Sequence, residues 1–242
     1  MGFVSHGHLR MLSIMQSITL IRHGYQISWD QQLKVRGSPA HQRLDPALAE
    51  IGVQQAELTA VQVKASGGAI QVVSSPFRRC LETADRIAAA CDCPVVPDWR
   101  VGEVLLSQVL GSPFSPNGSM DPEWESRREG AGKPAHPESD VTLAQRIAKM
   151  VAEWKALKPF PQRLVVVSHE IILKELFNAM TGKTVVVDWH PCGMTTLVRD
   201  KPMDRHWRLQ GLMAGWKHLG AADRVEPTTE IKQSYHPLDS RS

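Results

Sequence analysis

The sequence has no run of apolar residues that approaches the roughly 18 needed to cross a membrane as a helix. It has only four cysteines in 242 residues, and their spacing resembles neither a zinc site nor a disulfide framework. The formal net charge of +3 is too small to indicate a nucleic-acid or anionic membrane partner. We therefore expect no nucleic acid, no membrane and no metal among the partners, and a reducing compartment, the cytoplasm, as the location.

The length and composition of the chain fit one large α/β domain. Hydrophobic residues make up 42% and charged residues 22%, which supplies enough apolar material for a sizeable core. We predict that the domain spans residues 17–220, between an N-terminal extension (1–16) and a polar tail (221–242). Within it, residues 106–137 are rich in Gly, Pro, Ser and charge without a sustained period, which is typical of an irregular segment that covers a site.

Hydrophobic periodicity predicts strands and helices that alternate along the chain. Short apolar, β-branched runs predict strands at residues 17–21, 69–73, 94–97, 163–168 and 194–198. Apolar residues on one helical face predict helices at residues 77–91, 141–157 and 171–180. This alternation indicates an α/β fold, a three-layer α/β/α sandwich around a mainly parallel, mixed sheet.

Capping signals predict the starts of two helices. Asp45 and Pro46 place a capping acid before a proline that suits the first helical turn. The helix that follows carries four apolar residues, Leu48, Ile51, Leu58 and Val61. Further along the chain, Glu138 is expected to cap the helix that begins near Val141.

Two histidines directly follow predicted strands. His23 comes after the strand at 17–21 and after Arg22, and His169 comes after the strand at 163–168. Because catalytic groups in such sheets gather beyond the carboxyl ends of the strands, we expect both histidines at one edge. Arg22 adds the planar fork of donors that suits a phosphate group.

A third segment with charged residues also comes directly after a predicted strand. Residues 74–84 (SSPFRRCLETA) follow a predicted strand and open a helix. The N–H groups and dipole of a helix N-terminus already favour an anion there. We therefore expect Arg79 to face the same anion, and Arg78 to be the solvated member of the pair.

With these residues in place, the sequence resembles the histidine phosphatase superfamily, which has a phosphoglycerate-mutase-like fold and an Arg-His-Gly signature. The resemblance extends from about Ser17 to Leu219. It comprises residues 20–24, 45–48 with Gly52 and Gln55-Ala56, 75–80 with Thr83-Ala84, 137–139 with Arg146, and 167–169. Five ordered matches at strand and helix boundaries are far more specific than one Arg-His-Gly triplet. The Arg79-Cys80 pair and Tyr25 are especially similar to the eukaryotic branch that includes the ubiquitin-associated, SH3-containing tyrosine phosphatases.

The resemblance implies a role for each of these residues. His23 would be the nucleophile that accepts the phosphoryl group, while Arg22, Arg79 and His169 would bind the non-bridging phosphate oxygens. Glu103, in the loop after the third strand, matches the family's proton donor. His23, Glu103 and His169 are thus the expected catalytic residues. The resemblance implies no metal and no other cofactor, because the arginines supply the positive charge.

Three other carboxylates are reserve candidates for the proton donor. Glu123 and Glu125 lie in the irregular segment, and Glu138 lies beside it. The irregular segment would also choose the leaving group, but it contains no recognisable motif.

The sequence departs from the family pattern at several positions. Tyr25 stands where many members have Glu or Gln, and Glu170 stands where many have Gly after the second histidine. Both departures bear on the choice of substrate more than on the chemistry, and Glu170 adds a negative charge beside a phosphate site. Gln26 and Ser28 replace the Arg and Pro of the histidine acid phosphatases, which argues against that branch.

The leading hypothesis is a phosphomonoesterase that acts through a phosphohistidine on His23, on a phosphorylated small molecule or a phosphoprotein. The first alternative is a phosphoglycerate-type mutase, although the tyrosine-bearing loop of such mutases is not found and only two tyrosines exist. The second is a binding or scaffold module, although such relatives usually lose the nucleophile or an arginine. A homodimer is compatible with the sequence.

Overall fold

The computed structural model describes residues 15–29, 45–104, 126–127, 138–157, 161–201, 204 and 206–223. The strands in this part are β1 (Gln16–Arg22), β2 (Gln71–Ser74), β3 (Val95–Pro97), β4 (Arg163–Ser168), β5 (Met194–Arg199) and β6 (Arg208–Gly215). The helices are α1 (Glu50–Ala65), α2 (Arg78–Cys91), α3 (Asp140–Ala156) and α4 (Glu170–Thr181). None of these described helices is both long enough and apolar enough to cross a membrane.

The strands form one mixed sheet in the order β3-β2-β4-β1-β5-β6. The first four strands of that order are parallel, β5 is antiparallel to β1, and β6 is antiparallel to β5. The prediction of a mainly parallel, mixed sheet is therefore confirmed. β1 and β4 are neighbours in register, with Arg22 opposite Ser168, so the residues that follow them emerge side by side.

Helices cover both faces of the sheet. Successive strand residues point to opposite faces, and apolar strand residues are buried on each of them. On one face, Ile21, Val72 and Val167 belong to a buried cluster that includes residues of α1 and α2. On the other face, Leu20 and Val166 belong to a second cluster with residues of α3 and α4. This is the predicted three-layer sandwich.

The edge strand β6 was not predicted. Five of its eight residues are exposed, and its burial pattern does not alternate. A strand with solvent on most of its surface carries no period-2 hydrophobic signal, so the sequence gives no indication of it. The chain then continues through a 3-10 helix, Lys217–Ala222, whose Ala222 carbonyl accepts a hydrogen bond from Gln55 of α1 at 2.9 Å. This 3-10 helix spans residue 220, where the sequence places the domain boundary, and that boundary stays a prediction.

The prediction for the start of α1 was wrong in two respects. Asp45 does not cap this helix, which begins at Glu50. Its buried carboxylate instead accepts a hydrogen bond at 2.6 Å from the backbone N–H of Arg78, the first residue of α2. Leu58 and Val61 are 38% and 66% exposed, because the buried side of α1 is built from small and polar residues rather than from its large apolar ones.

α3 begins at Asp140, close to the predicted start near Val141, but the prediction that Glu138 caps it was wrong. Ser139 is the N-cap residue, and its side chain accepts a hydrogen bond from the backbone N–H of Thr142 in a capping box. Glu138 is buried and forms an ion pair with Arg146. Most of the irregular segment at 106–137 lies outside the described residues, as do the reserve candidates Glu123 and Glu125.

Candidate active site

His23 and His169 lie together at the carboxyl edge of the parallel strands, as predicted. His23 follows β1, and its backbone N–H donates to the carbonyl of Ser168, the last residue of β4, at 3.0 Å. The two imidazole rings are 5.3 Å apart between centroids and meet edge to face. Both histidines are almost completely buried. The pairing of β1 with β4 thus creates the site from residues far apart in the sequence.

The His23 ring is held in one orientation and one tautomer. Its Nδ1 lies 2.8 Å from the carbonyl oxygen of Gly24. Because a carbonyl can only accept, Nδ1 carries the proton and Nε2 keeps its lone pair. Burial, reinforced by the charges of Arg79, His169 and Arg22, lowers the pKa of His23 well below 6.5. The structure therefore presents a neutral imidazole with an unprotonated Nε2, which is what a nucleophilic histidine requires.

The loop after β1 is pressed against the start of α1 at two glycines. A Cβ atom added to Gly52 would lie 2.0 Å from the carbonyl oxygen of Tyr25, and one added to Gly24 would lie 2.6 Å from the carbonyl of Gly52. The backbone N–H of Tyr25 donates to Gln55 at 2.8 Å. Tyr25 itself is 1% exposed. Tyr25, which stands where many family members have Glu or Gln, therefore places its side chain in the core.

Arg79 lies in the first turn of α2 and contacts three groups of the site. Its Nε donates to Nε2 of His23 at 3.3 Å, and its Nη2 lies 3.1 Å from Nδ1 of His169 and 3.3 Å from a carboxylate oxygen of Glu103. Its Nη1 is buried and has no hydrogen-bond partner among the described residues. An anion beside Nε2 of His23 would supply that partner. Arg78, by contrast, is partly exposed and pairs with Glu82 at 2.8 Å.

His169 is bonded on both of its ring nitrogens. Nε2 lies 2.8 Å from the hydroxyl of Ser75, and Nδ1 lies 3.0 Å from a carboxylate oxygen of Glu103. Burial lowers the pKa of His169 to about 4, although the negative charge of Glu103 acts in the opposite direction and Arg79 acts with the burial. His169 is therefore neutral near pH 7 and serves as a fixed hydrogen-bonding group.

Glu103 reaches the same cluster from the loop after β3. Burial alone would raise the pKa of its carboxyl group, but the charges and hydrogen bonds of His169 and Arg79 outweigh it and lower the pKa to about 2. With these partners, Glu103 is a carboxylate near pH 7. A proton donor must carry a proton at the moment of transfer. An anion that binds Arg79 and His169 would remove the stabilisation of this carboxylate and raise its pKa.

The loop that carries Glu103 is anchored by Arg146 of α3. Nη1 of Arg146 donates to the carbonyl of Arg100 at 2.5 Å, and both Nη atoms lie 3.4 Å from the carbonyl of Gly102. Arg146 was included in the sequence resemblance, but nothing in its spacing indicated this contact. Its guanidinium fixes the backbone immediately before Glu103.

Arg22 is held by a backbone carbonyl, a carboxylate and an aromatic ring. Its Nη1 donates to the carbonyl of Trp189 at 2.5 Å and lies 3.0 Å from a carboxylate oxygen of Glu170. Its guanidinium carbon lies 5.1 Å from the ring centroid of Trp29, whose ring is 5.6 Å from that of His23. No pattern in the sequence indicated that Trp29 and Trp189 are neighbours of the site.

All five residues predicted for the site therefore lie in one cluster, namely Arg22, His23, Arg79, Glu103 and His169. Sequence reasoning missed the direct partnership of Ser75 with His169, although Ser75 stands at a strand end like the others. Glu138, a reserve candidate for the proton donor, forms an ion pair with Arg146. Among the described residues, no group of three or more His, Cys, Asp or Glu side chains could hold a metal ion.

Comparison with known proteins identifies relatives over most of the chain. The family model described as histidine phosphatase superfamily (branch 1) matches residues 18–214. A probable phosphoglycerate mutase, GpmB, of Proteus mirabilis is 31% identical over 171 residues, which cover 69% of this chain and 76% of that protein. A GpmB protein of Yersinia pestis is 30% identical over 175 residues, with the same two coverages.

Solved structures show the same fold. A mycobacterial glucosyl-3-phosphoglycerate phosphatase superposes with a TM-score of 0.57 at 23% identity and covers 83% of this chain and 100% of its own. A phosphoserine phosphatase of Entamoeba histolytica gives a TM-score of 0.56 at 23% identity and covers 84% of this chain and 99% of its own. A phosphoglycerate mutase of Bacillus anthracis gives a TM-score of 0.59 at 14% identity and covers 88% of this chain and 99% of its own.

Proposed function

The chain belongs to the histidine phosphatase superfamily, and from that membership we propose that it hydrolyses phosphomonoesters through a phosphohistidine formed on Nε2 of His23. The observation that carries this proposal is the fixed tautomer of His23. Its Nδ1–H is engaged by Gly24, and its Nε2 lone pair is turned toward Arg79. A buried histidine with a purely structural role has no need for an unprotonated nitrogen beside two arginines.

In the first chemical step, the Nε2 lone pair of His23 attacks phosphorus and the bond to the ester oxygen breaks. Arg22, Arg79 and His169 bind the three non-bridging oxygens, whose charge must be stabilised while phosphorus transfers. The positive charges of Arg22 and Arg79 are fixed before substrate binds, so no metal is needed for this stabilisation. The product of the step is a phosphoryl group on Nε2 and an alcohol.

Glu103 supplies the proton in that step and recovers it in the next. The phosphate dianion replaces Glu103 as the partner of Arg79 and His169, so the pKa of Glu103 rises and its carboxyl group can donate to the leaving oxygen. Water then attacks phosphorus and gives a proton to the Glu103 carboxylate, and the bond from phosphorus to Nε2 breaks. The enzyme is returned with inorganic phosphate bound.

The substrate of this proposal is a phosphorylated small molecule or a phosphoprotein. The competing activity is that of a mutase, because relatives near 30% identity are named as phosphoglycerate mutases. The two activities share the phosphohistidine and differ in the acceptor, which is water in one and a substrate hydroxyl in the other. Product analysis with 3-phosphoglycerate distinguishes them, since a phosphatase releases inorganic phosphate and a mutase forms 2-phosphoglycerate.

The decisive experiment traps the intermediate. Wild-type enzyme quenched in alkali during turnover of a radiolabelled phosphomonoester should carry a base-stable, acid-labile phosphoryl group, and activity should survive EDTA. His23→Ala should lose both the adduct and the turnover, whereas the exposed control His206→Ala should keep both. Full turnover by His23→Ala, or an adduct that persists in it, would contradict the proposal.

A further inference from the structure

Each arginine of the site is paired with a carboxylate. Arg79 lies 3.3 Å from Glu103, and Arg22 lies 3.0 Å from Glu170. Glu103 has a place in the reaction as proton donor. Glu170 has none so far, although it touches an arginine that binds phosphate in the proposed mechanism.

The position of Glu170 is fixed by the fold. It is the first residue of α4 and directly follows His169, so its backbone is set by the same strand end that sets the catalytic histidine. One carboxylate oxygen contacts Arg22, and the other accepts from Lys174 at 2.7 Å. The Glu170 side chain is only 13% exposed, and water screens a charge in such a position less than one on the surface.

Glu170 therefore changes the charge that an incoming anion meets. The positive charges of the two arginines are offset by the negative charges of Glu103 and Glu170. Both histidines are neutral near pH 7. A phosphate dianion already makes this cluster negative, and a further anionic group on the same substrate would add to the repulsion. Lys174 compensates only in part, because it binds the oxygen of Glu170 that does not face Arg22 and is itself more exposed, at 21%.

We propose that Glu170 is a specificity-determining residue that selects against phosphomonoesters whose leaving group carries a second negative charge, and favours neutral or cationic leaving groups. This inference rests on the proposed function for its choice of ligands. It differs from a role in which Glu170 merely holds Arg22 in place, because a holding role would affect all phosphate ligands equally.

The test compares two nearly isosteric ligands. Glycerol 3-phosphate carries a hydroxymethyl group where 3-phosphoglycerate carries a carboxylate. In Glu170→Gln, which keeps the shape and can still accept from Arg22, the ratio of kcat/KM for 3-phosphoglycerate to that for glycerol 3-phosphate should rise about tenfold, as expected for the loss of one nearby charge. Lys174→Met should lower the same ratio.

A charge-matched control separates a local effect from a change in net charge. Asp200→Asn removes the same charge from an exposed site just after β5, at the edge of the sheet opposite the histidines. It should leave the ratio at the wild-type value. An unchanged ratio in Glu170→Gln, or an equal rise in Asp200→Asn, would overturn the inference.

A binding measurement keeps this test independent of turnover. Calorimetric dissociation constants of the two ligands, measured in the His23→Ala background with and without Glu170→Gln, should show the same shift in their ratio. If the wild-type protein hydrolyses no monoester, the proposed function fails, and the binding ratio still decides the role of Glu170. A uniform loss of affinity for both ligands and for inorganic phosphate would assign Glu170 to positioning alone and overturn the inference.

Discussion

Glu138 and Arg146 form a buried, bidentate ion pair, with Nε to Oε1 at 2.7 Å and Nη2 to Oε2 at 2.6 Å. Nη1 of the same guanidinium is bonded to the carbonyl of Arg100, two peptide units before the one that joins Gly102 to Glu103. One arginine thus satisfies a buried carboxylate and fixes the loop of the expected proton donor. The pair therefore supports the site through the backbone of that loop.

Breaking this pair should weaken both the fold and the chemistry. Glu138→Gln leaves the Arg146 guanidinium buried without a counter-charge, which typically costs about 3–5 kcal/mol in free energy of unfolding. Urea denaturation should show that loss, while Arg208→Gln, which breaks an exposed pair with Asp200, should not. Because the Glu103 loop is then less well held, kcat should fall more than KM rises. Equal stability of Glu138→Gln and wild type would refute the support role.

The importance of Glu103 should depend on the leaving group. An alkoxide needs a proton in order to depart, whereas nitrophenolate leaves largely unaided. General acid catalysis typically contributes about 100- to 10,000-fold, so Glu103→Gln should slow phosphorylation by alkyl phosphates far more than by p-nitrophenyl phosphate. Single-turnover rates are required, because in the proposed mechanism dephosphorylation uses the same residue as a base. Equal slowing across a graded series of leaving groups would remove Glu103 from this role.

The stability of the protein should fall in mild acid because of His169. Its pKa lies near 4 in the folded chain against an ordinary 6.5, so the unfolded chain binds more protons between these values. The contribution of His169 to the free energy of unfolding is fully present above pH 6.5 and is lost as the pH falls toward 4. The resulting change in the free energy of unfolding is up to ~3 kcal/mol. His169→Asn should flatten the slope of unfolding free energy against pH in this window. An unchanged slope in His169→Asn would count against the assignment.

The close approach between the loop after β1 and α1 should not tolerate a methyl group. Gly52→Ala places a Cβ 2.0 Å from the Tyr25 carbonyl, which forces the backbone next to His23 to move. We expect a loss of about 1–3 kcal/mol in unfolding free energy, as is typical of overpacking, together with a large fall in kcat/KM. The control Gly215→Ala meets its nearest atom only at 3.4 Å and should be tolerated. A stable, active Gly52→Ala would show that this contact is not tight.

The sequence was sufficient for most strands and for the composition of the site. His23 and His169 were predictable because each ends an apolar strand, and strand ends of a parallel sheet meet at one edge. Arg79 was predictable because it opens a helix after such a strand. Helix caps were less predictable, since Asp45 caps α2 across a gap of 33 residues rather than the helix that follows it. A capping acid seen in sequence does not reveal which helix it serves.

By itself, the sequence determined the alternation of strands and helices, the residues at their ends and the family, because hydrophobic periodicity and short motifs are local properties of the chain. Only the tertiary structure decided which nitrogen of His23 is unprotonated, which carboxylate faces which arginine, and how Arg146 holds the Glu103 loop. The last two relationships join residues that lie dozens to more than a hundred positions apart, as Arg22 and Glu170 do. They depend on distances of about 3 Å, and strand pairing and helix packing set such distances while residue spacing along the chain does not.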